Sequence, residues 1–385
     1  MTFSWKGVAL VSVCAFCVTE IAQVNHDISC QVMKVIKSVD SSSSIFLSST
    51  SSSSIRTSTS TSTYEKYIPA PVEEYVIQHA TELGYGEESS DPTGCNIWKN
   101  PQLTPFHNEL KEFLGELKNY SSLLENFPDV NQDLRELLKQ EGPDTVCPRL
   151  RLVPDGLESL FPSKQLSLTR SGYVEPLVPP MRHPSICYQV RKNLLRMDYM
   201  VHDFEAMCRS LSSHSRTVLI DMGASLDFHH GLQSPAMYAI QLYQKFGFYF
   251  DHIYAFEITP KAPQKVFEKV PPNLMASYHW NNVGVSADPS SPFNPLYSIL
   301  NKFDEKDFVV VKLDIDTSFV EVPMAYQVLN DTSINSKIDQ FYFEHHIHLK
   351  ELARPWGSSM NGTIQQSLEL FQGLRERGVA AHYWP

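Results

Sequence analysis

The chain has 385 residues, with 32 Lys and Arg against 43 Asp and Glu, for a net charge of −11. Its 42% hydrophobic content excludes a wholly disordered chain. The acid excess argues against a nucleic-acid partner, because a phosphate-backbone binder needs a cationic face. Pro (25) outnumbers Gly (16), so long irregular connections are expected beside any regular fold.

Trp5-Lys6 precedes an uncharged run of 13 residues, Gly7 to Thr19, closed by Glu20. A spanning helix needs about 18 or more apolar residues, whereas a signal-peptide core needs about 7–15. Residues 1–24 are therefore read as a secretory signal. An uncleaved type II anchor is the rival, because Val13-Cys14-Ala15 is a poor cleavage pattern. Any membrane attachment would run through this segment only. Residues 25–63 follow as a stalk. In Ser41–Thr63, 18 of 23 residues are Ser or Thr, too little apolar surface to offset the ordering entropy. Such a tract reads as an O-glycosylated stalk or a plain linker. Sequons at Asn119, Asn330 and Asn361 agree with the same compartment, the Golgi lumen or the exterior.

Removal of a signal would leave Cys30, Cys95, Cys147, Cys187 and Cys208, with no C-x-x-C pair to suggest structural zinc. Cys208 falls in a helical pattern and reads as a buried thiol. Cys95, Cys147 and Cys187 sit among loop residues and suit one disulfide of open pairing.

Residues 64–188 read as a helical accessory region punctuated by proline. Leu110, Phe113, Leu114, Leu117 and Leu124 repeat at helical spacing. Leu134, Leu137 and Leu138 repeat it after Asp129, a candidate N-cap. No spacing here is catalytic. A covering layer and an acceptor-side lid are both open.

From residue 189 to 385 strand and helix patterns alternate. A helix is expected over Gln189–Leu211, then a strand Thr217–Asp221 running into Met222-Gly223-Ala224-Ser225. A helix over Ser234–Phe246 leads to a second strand, His252–Phe256, ending in Glu257. Further strands are expected in Ser277–Val285, Phe308–Leu313, Asp339–Phe343 and Val379–Trp384. Strands separated by helices of about ten residues imply βαβ units and a buried parallel sheet, an α/β fold with helices on both faces. Ligands bind at the carboxyl ends of such strands. Gly223 would permit a tight turn that brings backbone N–H groups near a ligand, and Glu257 could accept both hydroxyls of a ribose. Neither G-x-G-x-x-G nor a P-loop motif is present.

Five segments in order carry a resemblance: Val-Leu-Ile-Asp221-Met-Gly223-Ala-Ser, Tyr-Ala-Phe-Glu257, Asn282-Val-Gly-Val-Ser, Val-Val-Lys312-Leu-Asp314-Ile-Asp316 and Phe-Tyr-Phe-Glu344-His-His. Over residues 189–385 the chain resembles the FkbM-type S-adenosylmethionine (SAM)-dependent methyltransferases, with a Rossmann-like methyltransferase sheet. The resemblance implies that Asp221, Gly223, Ala224 and Ser225 wrap the methionine part of SAM and that Glu257 holds its ribose. It implies that Asn282 and Val283 pass the adenine and that Lys312 to Asp316 face the reacting end. The implied activity is O-methyl transfer to a hydroxylated small molecule or glycan. Asp227 stands where the family usually has Gly, and Asp314-Ile-Asp316-Thr317 replaces an Asp-x-Glu-Gly step. One strand follows the last helix where the seven-stranded sheet needs two, so the closing hairpin is expected to be absent or unusually built.

Methyl transfer needs positioning and a base or cation at the acceptor hydroxyl. Asp314 or His345 is the candidate base. Alternatively, Asp314, Asp316 and Glu344 with one histidine would hold a divalent metal. His346 and His348 share a side if the segment is extended. Lys312 is expected to pair with an acid, and His229-His230 to contact the acceptor or lie in an exposed loop. A catalytically inactive lumenal binding or scaffold protein on the same fold is the competing expectation.

Overall fold

The computed structural model describes residues 67, 69–88, 93–95, 104–156, 172–177, 197, 199–226 and 234–384. The expected signal or anchor and stalk, Cys30, Cys187, Asp227 and His229-His230 lie outside them, as do residues 189–196 of the expected Gln189–Leu211 helix, whose described part is helical only over Phe204–Ser210.

The accessory region contributes α1 (Pro71–Gln78), α2 (Thr104–Asn126) and α3 (Leu134–Glu141). Helix α2 buries Phe113, Leu117, Tyr120 and Leu124, the i, i+4, i+7, i+11 face its spacing requires. Helix α3 buries Leu134 and Leu138. Its N-cap is Asp133, whose side chain accepts from the Arg135 N–H, and not Asp129. The 3₁₀ turn Cys147–Leu150 follows. Cys147 forms a disulfide with Cys208 on α4 (Phe204–Ser210), so Cys208 is a bonded cysteine and not a thiol. Cys95 is disulfide-bonded as well.

The α/β half runs β1 (Thr217–Met222), α5 (Pro235–Lys245), β2 (His252–Phe256), α6 (Pro263–Phe267), β3 (Tyr278–Asn281), β4 (Phe308–Leu313), α7 (Ser318–Asn330), β5 (Gln340–Phe343), α8 (Ile364–Glu376) and β6 (Ala380–Tyr383). The sheet order is β3-β2-β1-β4-β5-β6, and every pairing is parallel. Every residue of β1, β4, β5 and β6 is buried, as in a parallel sheet covered on both faces. With the order reversing beside β1, the right-handed crossovers that parallel strands take would put helices on opposite faces. The segment Val379–Trp384 enters as β6, parallel to β5, and among the described residues no antiparallel strand closes the sheet.

Residues 63–385 form one compact unit. Among the described residues the accessory region and the sheet share one hydrophobic core. A buried polar cluster joins them. Arg375 on α8 donates to Tyr67 Oη (3.1 Å) and the Glu175 carbonyl (2.7 Å), and lies 3.5 Å from carboxylate oxygens of Glu73 and Glu175. His382 Nδ1 pairs with Glu175 at 2.9 Å and its Nε2 with Gln340 Oε1 at 2.9 Å. Buried charges persist only when paired and hydrogen-bonded in this way. Asn119, Asn330 and Asn361 are all exposed. Among the described residues no helix is long and apolar enough to cross a membrane.

Candidate functional site

The strand order reverses between β1 and β4, and in sheets of this kind ligands bind at the carboxyl ends of the strands beside such a reversal. Asp221 and Lys312 stand opposite each other in the β1–β4 register. Lys312 Nζ lies 3.2 Å from Asp221 Oδ1 and 3.1 Å from Asp314 Oδ2, and donates to the Gly223 carbonyl at 2.7 Å. Lys312 and Asp221 are buried. Burial works against the Lys312 charge, but Asp221 and Asp314 outweigh it and raise its pKa. Burial raises the Asp221 carboxyl against the pull of Lys312. Burial likewise lifts Asp314 well above the usual carboxylate range, with Lys312 opposing and Glu344 adding to the rise. One cation thus serves two acids.

Gly223 has φ of +90°. The N–H groups of Gly223 and Ala224 both donate to the Phe256 carbonyl, at 3.0 and 2.9 Å, and the Ser225 N–H donates to the Gly223 carbonyl at 2.9 Å. The turn is as tight as expected, but its N–H groups stitch β1 to β2 instead of pointing at a ligand. Glu257 ends β2, half-buried, with Oε1 accepting from the Thr259 N–H at 2.7 Å. Asn282 Nδ2 donates to the Glu257 and Thr259 carbonyls (2.7 and 2.9 Å), while its Oδ1 accepts from the Lys261 N–H (2.9 Å). Its side chain therefore ties down the loop that carries Glu257. Val283 packs half-buried against the core beside it. The Tyr278 hydroxyl and Trp280 Nε1 are buried without a hydrogen-bond partner among the described residues. Both sit on the sheet face that carries Asp221, by the β1–β2–β3 register. Buried donors without such a partner mark a face that could take a polar group.

On the β4–β5 side the rim is acidic. Asp316 (φ 55°) is the one described non-glycine residue with positive φ, and its side chain is 84% exposed. Glu321 is fully buried and holds that loop: Oε1 accepts from the Ile315 N–H (2.7 Å) and Oε2 from the Thr317 N–H (3.2 Å). Burial pushes the Glu321 carboxyl up to about 7, against its hydrogen bond from Ile315. His346 Nε2 lies 2.9 Å from Glu344 Oε2 and 3.7 Å from Asp316 Oδ1. The neighbouring histidines point elsewhere. His345 turns inward, with Nδ1 2.9 Å from Ser367 Oγ and its ring stacked on Phe343; burial depresses its pKa to about 3. That buried, neutral ring does not reach the rim. His348 engages the Gly362 carbonyl through both its ring Nδ1 (2.9 Å) and its backbone N–H (3.0 Å). It does not share the side of His346, because the chain leaves strand geometry after Phe343.

No family model, curated protein or solved structure matches the chain.

Three rim residues had little or no sequence signal. Glu321 is a lone acid in an apolar stretch, which is the only hint of it. Trp356 and Ser359 lie 12 to 13 residues from Glu344 and His346 and meet them only through the fold: Trp356 Nε1 donates to Glu344 Oε1 (3.2 Å), and Ser359 Oγ contacts His346 Nδ1 (2.8 Å).

Proposed function

We propose that the α/β half binds SAM and transfers a methyl group to a hydroxyl of a glycan or another hydroxylated small molecule. The observation that carries this reading is the convergence of the resembling segments. Asp221, Glu257, Asn282, Asp314 and Glu344 each stand at or just past the carboxyl end of a different strand, from β1 to β5 in the order β1, β2, β3, β4, β5. The crevice at the reversal of strand order is where ligands bind in such sheets. SAM, when bound, supplies an activated methyl group to in-line displacement. Glu257 would accept ribose hydroxyls, with Asn282 fixing its loop. Lys312 would hold Asp221 and Asp314 in place, and Asp314, as the ionised carboxylate, would take the proton from the acceptor hydroxyl. The setting we propose is the lumen of the secretory pathway, supported by the Cys147–Cys208 disulfide.

One observation favours a second reading, a non-catalytic binding or scaffold protein: the Gly223 and Ala224 N–H groups are both committed to the Phe256 carbonyl. Calorimetric titration of the purified protein with SAM separates the two. Saturable binding at micromolar SAM is expected. Absence of heat at high micromolar SAM, with or without Mg²⁺ or Mn²⁺, would replace the enzyme by the binding protein.

A further inference from the structure

We propose that Asp316, Glu344 and His346 form a binding site for one divalent transition-metal ion of the Mn²⁺ type. One donor atom from each lies within 4.8 Å of the others. For metal–ligand bonds of about 2.1 Å, neighbouring donors in an octahedral shell lie about 3 Å apart. The observed separations from His346 Nε2 are 2.9 Å to Glu344 and 3.7 Å to Asp316, close to that shell before any adjustment.

The proposal does not rest on acidity alone. The His346 ring is buried, and its orientation is set from outside the cluster. Ser359 Oγ donates its proton to the Trp356 carbonyl at 2.7 Å, so towards His346 it can only accept. The 2.8 Å contact is therefore Nδ1–H to Ser359 Oγ, which directs Nε2 at the two carboxylates. Carboxylate oxygens only accept, so the atom between them and Nε2 must be a proton or a cation. Glu344 is likewise held from behind. Trp356 Nε1 donates to Oε1, leaving Oε2 on the His346 side, and the Trp356 ring stacks on His346 at 4.8 Å. Partners that fix both the imidazole and the carboxylate from the far side are what metal ligands have. Asp316, on the exposed side, gives the site an entrance.

One nitrogen and two carboxylates suit Mn²⁺, Fe²⁺ or Zn²⁺ better than Ca²⁺, which takes oxygen ligands. Three protein ligands leave positions open to a hydroxyl-bearing substrate. In the methyl-transfer reading such an ion would acidify the acceptor hydroxyl, but the ion site stands independently of that reading.

The test is titration of the metal-stripped full chain with Mn²⁺, following free ion by electron paramagnetic resonance. One ion per chain is expected. Asp316→Asn should weaken binding at least about 10-fold, and Ser359→Ala, which leaves all three ligands in place, by about 10- to 100-fold. The Asp316 side chain is exposed and Asn tolerates its positive φ, so misfolding would not explain the loss. No saturable Mn²⁺ binding, affinity unchanged in Asp316→Asn, or equal affinity for Ca²⁺ would each overturn the proposal and leave a protonated His346–Glu344 ion pair. SAM titration of the same sample reports on methyl transfer separately.

Discussion

Gly223 and Asp314 touch backbone to backbone. A Cβ at position 223 would lie 1.5 Å from the Asp314 carbonyl oxygen, closer than any non-bonded contact allows. This contact joins the turns after β1 and β4 at the carboxyl ends of the two strands. Gly223→Ala must therefore displace one turn, on top of the strain of φ +90°. We expect a loss of at least about 3 kcal/mol in chemical denaturation. Gly84→Ala, with φ +74° but open space around the new methyl, should cost only about 1–2 kcal/mol. Equal costs at the two sites would refute the close contact.

Lys312→Met keeps the volume of the side chain and removes its charge. Asp221 and Asp314 would then lose the cation they share. Breaking a buried pair from one side costs about 3–5 kcal/mol. The variant should be least destabilised in acid, where the two carboxyls can protonate. Stability that is unchanged at neutral pH would show that the pairing contributes nothing.

Glu257 stands at the carboxyl end of β2, half-buried, without being part of the core. Glu257→Gln should leave stability within about 0.5 kcal/mol of the parent. SAM affinity, measured calorimetrically, should fall about 10- to 100-fold through the loss of charge-assisted hydrogen bonds. An unchanged Kd would remove Glu257 from the ribose site.

His202 is buried, with Nε2 2.7 Å from Tyr342 Oη. Burial, aided by His382, depresses its pKa to about 3, against an ordinary value near 6.5. The unfolded chain therefore binds this proton first, and stability is present above pH 6.5 and lost as pH falls towards 3. Between pH 7 and 5 the His202 contribution is about 2 kcal/mol. Denaturation midpoints of the parent and of His202→Phe should converge as pH is lowered through this window. Parallel pH profiles would contradict a neutral buried His202.

The Cys147–Cys208 bond spans 61 residues and ties the accessory region to the helix before β1. Closing a loop of that length stabilises by up to about 4 kcal/mol in the chain-entropy account. Replacing both cysteines by Ala should lower the denaturation midpoint accordingly, and a shift under about 1 kcal/mol would show that the bond constrains little.

The parallel α/β class was legible in the sequence because buried parallel strands leave a distinctive trace. Runs such as Val218–Ile220 and Phe308–Val311 are apolar on both faces, and charged residues follow only toward the carboxyl ends, at Asp221 and Lys312. The same logic placed Asp221, Glu257, Asp314 and Glu344 on one rim. The disulfide was not legible, because a helical pattern at Cys208 says nothing of what faces it across the chain. Nor could alternation decide which histidine faces the rim. His345, His346 and His348 are separated by backbone that is no longer a strand, so their directions follow from Ser367, Ser359 and Gly362 on a later part of the chain. Asn282 shows the same limit: residue type and position marked it, but only the folded loop made it a tie for Glu257. Composition and hydrophobic period, which act locally, determined the elements and the rim on which chemistry would gather. The partner of each polar side chain depends on contacts far apart in sequence, and the tertiary structure alone decided those.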